Sequence, residues 1–529
     1  MKVLVITGNL AYPLIKDVVA DSKEDVIVHV ANTQVAAFLT PNMIIKEVKN
    51  NFKDELDDID MILVPGLIKK GTNKISKELD IPTFKGSTDG ADLLMVLDLI
   101  NKIELSEDKP ADKLIEEEKR EKALEFIEDF ENNIENTERL LKKPNNILIG
   151  NLPVGEDFPM RVLAEIANAP FMSKEELIKK CEYFIDSGAD MIDIGMAAGE
   201  DYSEKIPELI ATLRSVVGDK PLSIDTLNPK EIKVAVECGI DFVLSLDLGN
   251  YEEVVDLLKK KDVPAVLLPT NFTKGISPKT PQERVNAMED LINKCDGLKI
   301  VADLILDPVN SSSIVESVIA CHDFKENNDF PLFFGVGNVS ELMDTDSVGV
   351  NMLLAGIGME LGVSILFTPE ESGKTRGSVH ELATASKMMF LAKNRSSIPK
   401  DLGINLLVFK DKHKRSDFSE AIDDVPTNQG KEFKRFVLDP AGSFKIRVEH
   451  GSTPNKSKII ATHFKKLKAD ISIEGRYPKE IYEEIIKLGL VTRLEHAAYL
   501  GNELQKAEIA LITGKEYIQD FPLFKIPDY

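Results

Sequence analysis

The chain has 529 residues, 43% of them hydrophobic and 29% charged, with a formal net charge of −24; that is a globular composition with room for about three domains. An excess of 89 acidic over 65 basic residues disfavours a nucleic-acid partner, which needs clustered Lys and Arg, and no apolar run reaches the ~18 residues of a membrane helix. Cys181, Cys238, Cys295 and Cys321 lie too far apart for a disulfide scaffold or a cysteine-rich zinc module, and the start MKVLVITGNL lacks a secretory layout, so a cytoplasmic location is expected.

Over residues 1–105, short apolar runs at 3–6, 26–30 and 61–64 alternate with helical patterns such as 42–49 and 91–100. This alternation predicts a small α/β, Rossmann-like domain with a parallel sheet. Its first loop, Thr7-Gly8-Asn9-Leu10, has one glycine where a dinucleotide fingerprint needs three. Residues 106–144 are highly charged, and Ala123, Ile127, Phe130, Ile134 and Leu141 recur at helical steps. They predict an amphipathic linker helix with a solvated face.

Between residues 145 and 400 the rhythm changes. Apolar runs fall at 147–150, 191–194, 222–224, 242–246, 265–268, 300–306, 332–335 and 363–367, with helical patterns in most gaps. Eight strand–helix units in about 250 residues predict a (β/α)8 barrel. Residues 401–529 read as a separate α+β domain, with strand-like runs at 406–409, 435–438, 444–448 and 459–462 and helical patterns at 479–487 and 493–511.

Barrel active sites lie at the carboxyl ends of the strands. On the expected strands those ends carry Asn151, Gly195, Asp225, Ser245, Asn271, Asp307, Asn338 and the segment from Thr368 to Arg376. Carboxylates and amides dominate, and no histidine lies near a strand end, which argues against a histidine-ligated metal or a histidine base. Aspartates on different strands suit a ligand with a row of N–H donors, such as the 2-amino and N3 edge of a pterin. Lys374 and Arg376 follow the eighth strand, where barrels often bind phosphate.

Gly188-Ala189-Asp190-Met191-Ile192-Asp193-Ile194-Gly195 resembles the second-strand signature of the pterin-binding barrels. Leu222-Ser223-Ile224-Asp225-Thr226 resembles their third strand, and Ile305-Leu306-Asp307-Pro308 their sixth. With its end domains, the chain is similar to the archaeal dihydropteroate synthase-related proteins of that family, which also includes the methyltetrahydrofolate–corrinoid methyltransferases. The resemblance implies a TIM barrel in which Asp225 and Asp307 hold the pterin and act in catalysis. It implies that Asn151 lies near a pyrophosphate and Mg2+, and that Asp193, Ser245, Asn338, Lys374 and Arg376 complete the substrate site.

The implied reaction joins a dihydropterin-methyl pyrophosphate to an arylamine, in tetrahydromethanopterin or folate-type cofactor biosynthesis. A homodimer is the expectation by analogy. Two departures point to the alternative, methyl transfer from a pterin to the corrinoid of a partner protein. The family's Ser-Arg-Lys after strand seven is replaced by Gly337-Asn338-Val339, which loses a lysine, and an asparagine at this place resembles the methyltransferase branch. A third reading is a non-catalytic pterin-binding protein. His496, on the last helical pattern, reads as a packed helix histidine.

Overall fold

The computed structural model describes residues 1–524 apart from 54, 312, 411, 413–425, 427, 431–436 and 452–455. It divides into two compact units, residues 1–126 with 401–433 and residues 127–400 with 434–529.

The first unit is built on a parallel sheet of β1 (Lys2–Thr7), β2 (Asp25–Val30), β3 (Met61–Val64) and β4 (Thr83–Lys85), in the order β2-β1-β3-β4. Strand alternation explains its two cores. Leu4 and Ile6 of β1 pack with Ile44, Val48 and Ile75 on one face, while Val3 and Val5 pack with Leu93, Val96 and Leu97 on the other. Residues 406–409, expected as a strand, form none.

The second unit corrects the start of the barrel. The run at 147–150, expected as its first strand, is one arm of an antiparallel hairpin, β5 (Asn146–Ile149) and β6 (Leu152–Gly155). Gly150, at φ +57, and Asn151 form the two-residue turn, for which such residues are preferred. Ile149 and Val154 share a core with Leu163, Met191, Phe242, Val301 and Ile365 from the barrel interior. A Cβ on Gly150 would lie 3.5 Å from side-chain atoms of Asp241 and Pro221, which directly precede two barrel strands. The hairpin therefore stoppers the amino-terminal end of the barrel.

The barrel itself consists of β7 (Arg161–Ile166), β8 (Met191–Gly195), β9 (Leu222–Asp225), β10 (Phe242–Leu246), β11 (Ala265–Leu267), β12 (Ile300–Ala302), β13 (Leu332–Gly335) and β14 (Val363–Thr368). All neighbours are parallel, and β14 pairs with β7 to close the cylinder.

The carboxyl-terminal part of this unit is an antiparallel sheet of β15 (Ser443–Glu449), β16 (Lys458–Lys465) and β17 (Lys468–Gly475). Helices Pro478–Lys487 and Leu494–Thr513 cover it through Ile481, Ile485, Leu500 and Leu504. His496 faces Asp439, with Nδ1 and Oδ2 3.0 Å apart. Of the run expected at 435–438, residues 435 and 436 lie outside the described residues and 437–438 form no strand. No helix among the described residues is long and apolar enough to cross a membrane.

Candidate functional site

Strand periodicity builds the site. Leu163, Met191 and Val301 point into the barrel core, so the residues two positions on, Glu165, Asp193 and Asp303, project from the next layer toward the carboxyl end. On β9 the hydroxyl of Ser223 donates to Asp193 Oδ1, which places Asp225 in the same upper layer. Glu165 lies directly beside Asp193 in the β7–β8 register, and Asp193 beside Ser223 in the next.

Glu165, Asp193 and Asp225 offer oxygens that all lie within 4.8 Å of one another, so they are the described residues of the mouth that could hold a metal ion. Asp193 is fully buried, and its Oδ2 has no hydrogen-bond partner. A Cβ at Gly195 would meet the end of the Glu165 side chain and lie 3.0 Å from Ala167 Cα, so the glycine leaves the carboxylate its place.

Burial and mutual repulsion raise the pKa values of these carboxyl groups. Burial, then the charges of Asp225 and Glu371, pushes Glu165 up to about 8, with Lys180 opposing. Asp193 is raised well above the carboxylate range by burial, Asp225 and Glu165. Burial pushes Asp225 up to about 6. Asp303 is raised to about 7 by burial, against the N–H of Ile305, 2.8 Å away, and the Arg284 guanidinium.

β12 ends at Ala302, so the inward carboxylate after it is Asp303. Asp307, four residues on, is ion-paired with Arg284 from helix Pro281–Lys294. Arg284 also donates to the carbonyls of Leu304 (3.1 Å) and Ile305 (2.7 Å) and to Ser317 Oγ (3.1 Å), clamping the loop. Asn338, exposed at the end of β13, donates to Leu306 O at 3.2 Å and so adjoins that loop. Ser245 is buried at the end of β10, its carbonyl accepting from Asn250 Nδ2 at 3.0 Å.

The structure thus gathers Asp193, Asp225, Ser245, Asp307 and Asn338 at strand ends. It places Asn151 on the exposed hairpin turn at the opposite end, away from these groups. Lys374 pairs with Asp344 at 3.0 Å and Arg376 with Glu516 at 3.2 Å. An exposed pair contributes about 0–1 kcal/mol, so Arg376→Ala should shift the unfolding midpoint little and leave reduced-pterin affinity unchanged by calorimetry. A large loss of pterin affinity would put Arg376 in the site.

Glu165 and Asp303 are functional candidates that the sequence reading missed. Above the carboxylates, exposed Phe171, Phe272 and Leu342 follow β7, β11 and β13. Tyr202, after β8, meets Phe171 edge-on at 5.3 Å. The mouth therefore combines acidic groups below with an apolar rim above.

Residues 166–347 match the family model described as pterin binding enzyme. Residues 1–88 match a family of unknown function, and residues 438–520 match PterinBD-DUF4346. Over 535 aligned residues, 99% of each chain, the sequence is 46% identical to an uncharacterized protein of Methanocaldococcus jannaschii. It is 24% identical over 252 residues to a 4-hydroxy-3-methylbut-2-en-1-yl diphosphate synthase (flavodoxin) of Buchnera aphidicola, covering 44% of this chain and 65% of that one. Dihydropteroate synthase of Xanthomonas albilineans, solved with indole-2-carboxylic acid and 6-chloroguanine, aligns with 49% of this chain and 99% of its own at 15% identity and a TM-score of 0.39. The Thermus thermophilus dihydropteroate synthase, solved with 6HMPPP, aligns with 46% and 97% at 16% identity and a TM-score of 0.36.

Proposed function

We propose, from the premise that this chain belongs to the pterin-binding enzyme family and aligns over 99% of its residues with the Methanocaldococcus jannaschii relative, that its barrel is a dihydropteroate synthase-like transferase. Its substrates are a dihydropterin-methyl pyrophosphate and an arylamine, in tetrahydromethanopterin or folate-type cofactor biosynthesis. The C–O bond ionises, pyrophosphate leaves with the bonding pair, the amine attacks the cationic pterin methylene, and a proton is lost from nitrogen.

The observation that supports this reading is the layer of inward carboxyl groups, Glu165, Asp193, Asp225 and Asp303, directly above the apolar barrel core. Asp225, raised only to about 6, is ionised at neutral pH and accepts from the N–H edge of a pterin. Fixed negative charge in a partly desolvated mouth stabilises a positive methylene as it forms. Phe171 and Tyr202 offer an apolar wall to an aryl acceptor.

Incubation of the full chain with the pterin pyrophosphate and each of several arylamines should give a condensed pterin and pyrophosphate in equal amounts by chromatography and mass spectrometry. No condensed product with any arylamine would contradict the reading.

One observation favours the second reading, methyl transfer to a corrinoid protein. Lys374 and Arg376, the basic residues expected to meet pyrophosphate, are paired with Asp344 and Glu516. Methyl transfer releases no pyrophosphate and so needs no such cation. Demethylation of a methyl-pterin with formation of methylcobalamin from chemically reduced cob(I)alamin, without arylamine condensation, would select this reaction.

A further inference from the structure

We propose that Glu165, Asp193 and Asp225 form a divalent-cation site held entirely by the protein, taking a hard ion of the Mg2+, Mn2+ or Ca2+ class. Three adjacent strands each supply one carboxylate, and the oxygens lie within 4.8 Å of one another. With metal–oxygen distances of about 2.0–2.6 Å, two ligands on one ion are at most roughly 4–5 Å apart, so the span suits a single ion.

The second observation is independent of the clustering. Asp193 Oδ2 is buried and has no hydrogen-bond partner, although its other oxygen accepts from Ser223. A buried polar atom left unsatisfied costs free energy, and a bound cation removes that cost. Among the described residues, none of the three carboxylates has an ion-pair partner. Lys180, the nearby cation, is engaged with Glu371 at 3.2 Å. Gly195, with no Cβ to displace it, leaves the Glu165 carboxylate its place against β8. The donor set is all oxygen, with no His or Cys, which suits hard ions of this class.

The proposal goes beyond the transferase reading and does not depend on it. It relocates the metal site expected at Asn151 to the opposite end of the barrel. An ion here also offsets like charge in the mouth, so that an anionic substrate ester can approach.

Mn2+ titration of the full chain without pterin, followed by loss of the free-ion electron paramagnetic resonance signal, tests it. About 0.5 M NaCl screens the acidic surface. One Mn2+ per chain should bind and be displaced by excess Mg2+. Glu165→Gln and Asp193→Asn should each weaken binding roughly tenfold or more, since even outer-shell partners of a metal are worth 10–100-fold. Asp323→Asn, in the exposed group His322, Asp323 and Glu326, should leave binding unchanged.

The unmodified chain gives a readout that needs no variant. Its melting temperature should rise in Mn2+ relative to EDTA. An undiminished free Mn2+ signal, an affinity equal in Glu165→Gln, Asp193→Asn and the parent, or a melting temperature indifferent to Mn2+ would each overturn the site. Because pterin is absent, any of these results leaves the pterin pocket standing.

Discussion

Asp225→Asn is expected to weaken binding of a reduced pterin by about 2–4 kcal/mol, the loss of paired hydrogen bonds to a charged group. Asp225 closes β9 in the same layer as Glu165 and Asp193. An amide keeps one acceptor and presents a donor where the pterin edge offers only N–H groups. The substitution removes one like charge from a crowded mouth, so the fold should persist. Calorimetry in EDTA separates the pterin contact from any cation effect. Unchanged affinity with an intact circular dichroism spectrum would remove Asp225 from the pocket.

Arg284→Ala is expected to lower the unfolding free energy by about 3–5 kcal/mol, the cost of stranding one partner of a buried ion pair. The Arg284 side chain is 3% exposed and is paired with Asp307. Its removal also frees the carbonyls of Leu304 and Ile305 and the hydroxyl of Ser317 from their shared donor. The change should appear as a lower urea midpoint at unchanged slope. A loss below about 1 kcal/mol, the value of an exposed pair, would mean that water solvates Asp307 when the guanidinium is gone.

Seven of the eight barrel strands were legible because each opens on a short apolar run. The first was not, because Arg-Val-Leu-Ala-Glu-Ile carries two charges. Arg161 is buried through its pair with Glu131 and its donation to Pro153 O at 2.9 Å, and Glu165 belongs to the mouth. The apolar run just before it took the assignment, although Gly150 and Asn151 carry a hairpin-turn signal. That shift put Asn151 at the wrong end and hid Glu165.

On the sixth strand, the apolar pattern resumes after Asp303 and runs to Leu306, but the ladder stops at Ala302. The Asp303 carboxylate accepts from the N–H of Ile305, and Ile305 sits at φ +67, so the chain turns there. A motif centred on Asp307 therefore pointed past the inward carboxylate. β17 escaped notice because Lys466 and Leu467 make its turn at positive φ without Gly or Asn, and most of the strand is exposed. The pairing of Arg376 with Glu516 joins residues 140 apart, a separation at which no local pattern carries information.

Binding of a dihydropterin to the full chain is the decisive measurement for this barrel. Titration calorimetry with the hydroxymethyl-dihydropterin pyrophosphate and with the plain reduced pterin should show about one site per chain for each. The two should compete for that site, and Asp225→Asn should lose both. If neither pterin binds the folded parent chain, the mouth of this barrel is not a pterin site, and the transferase reading fails with it.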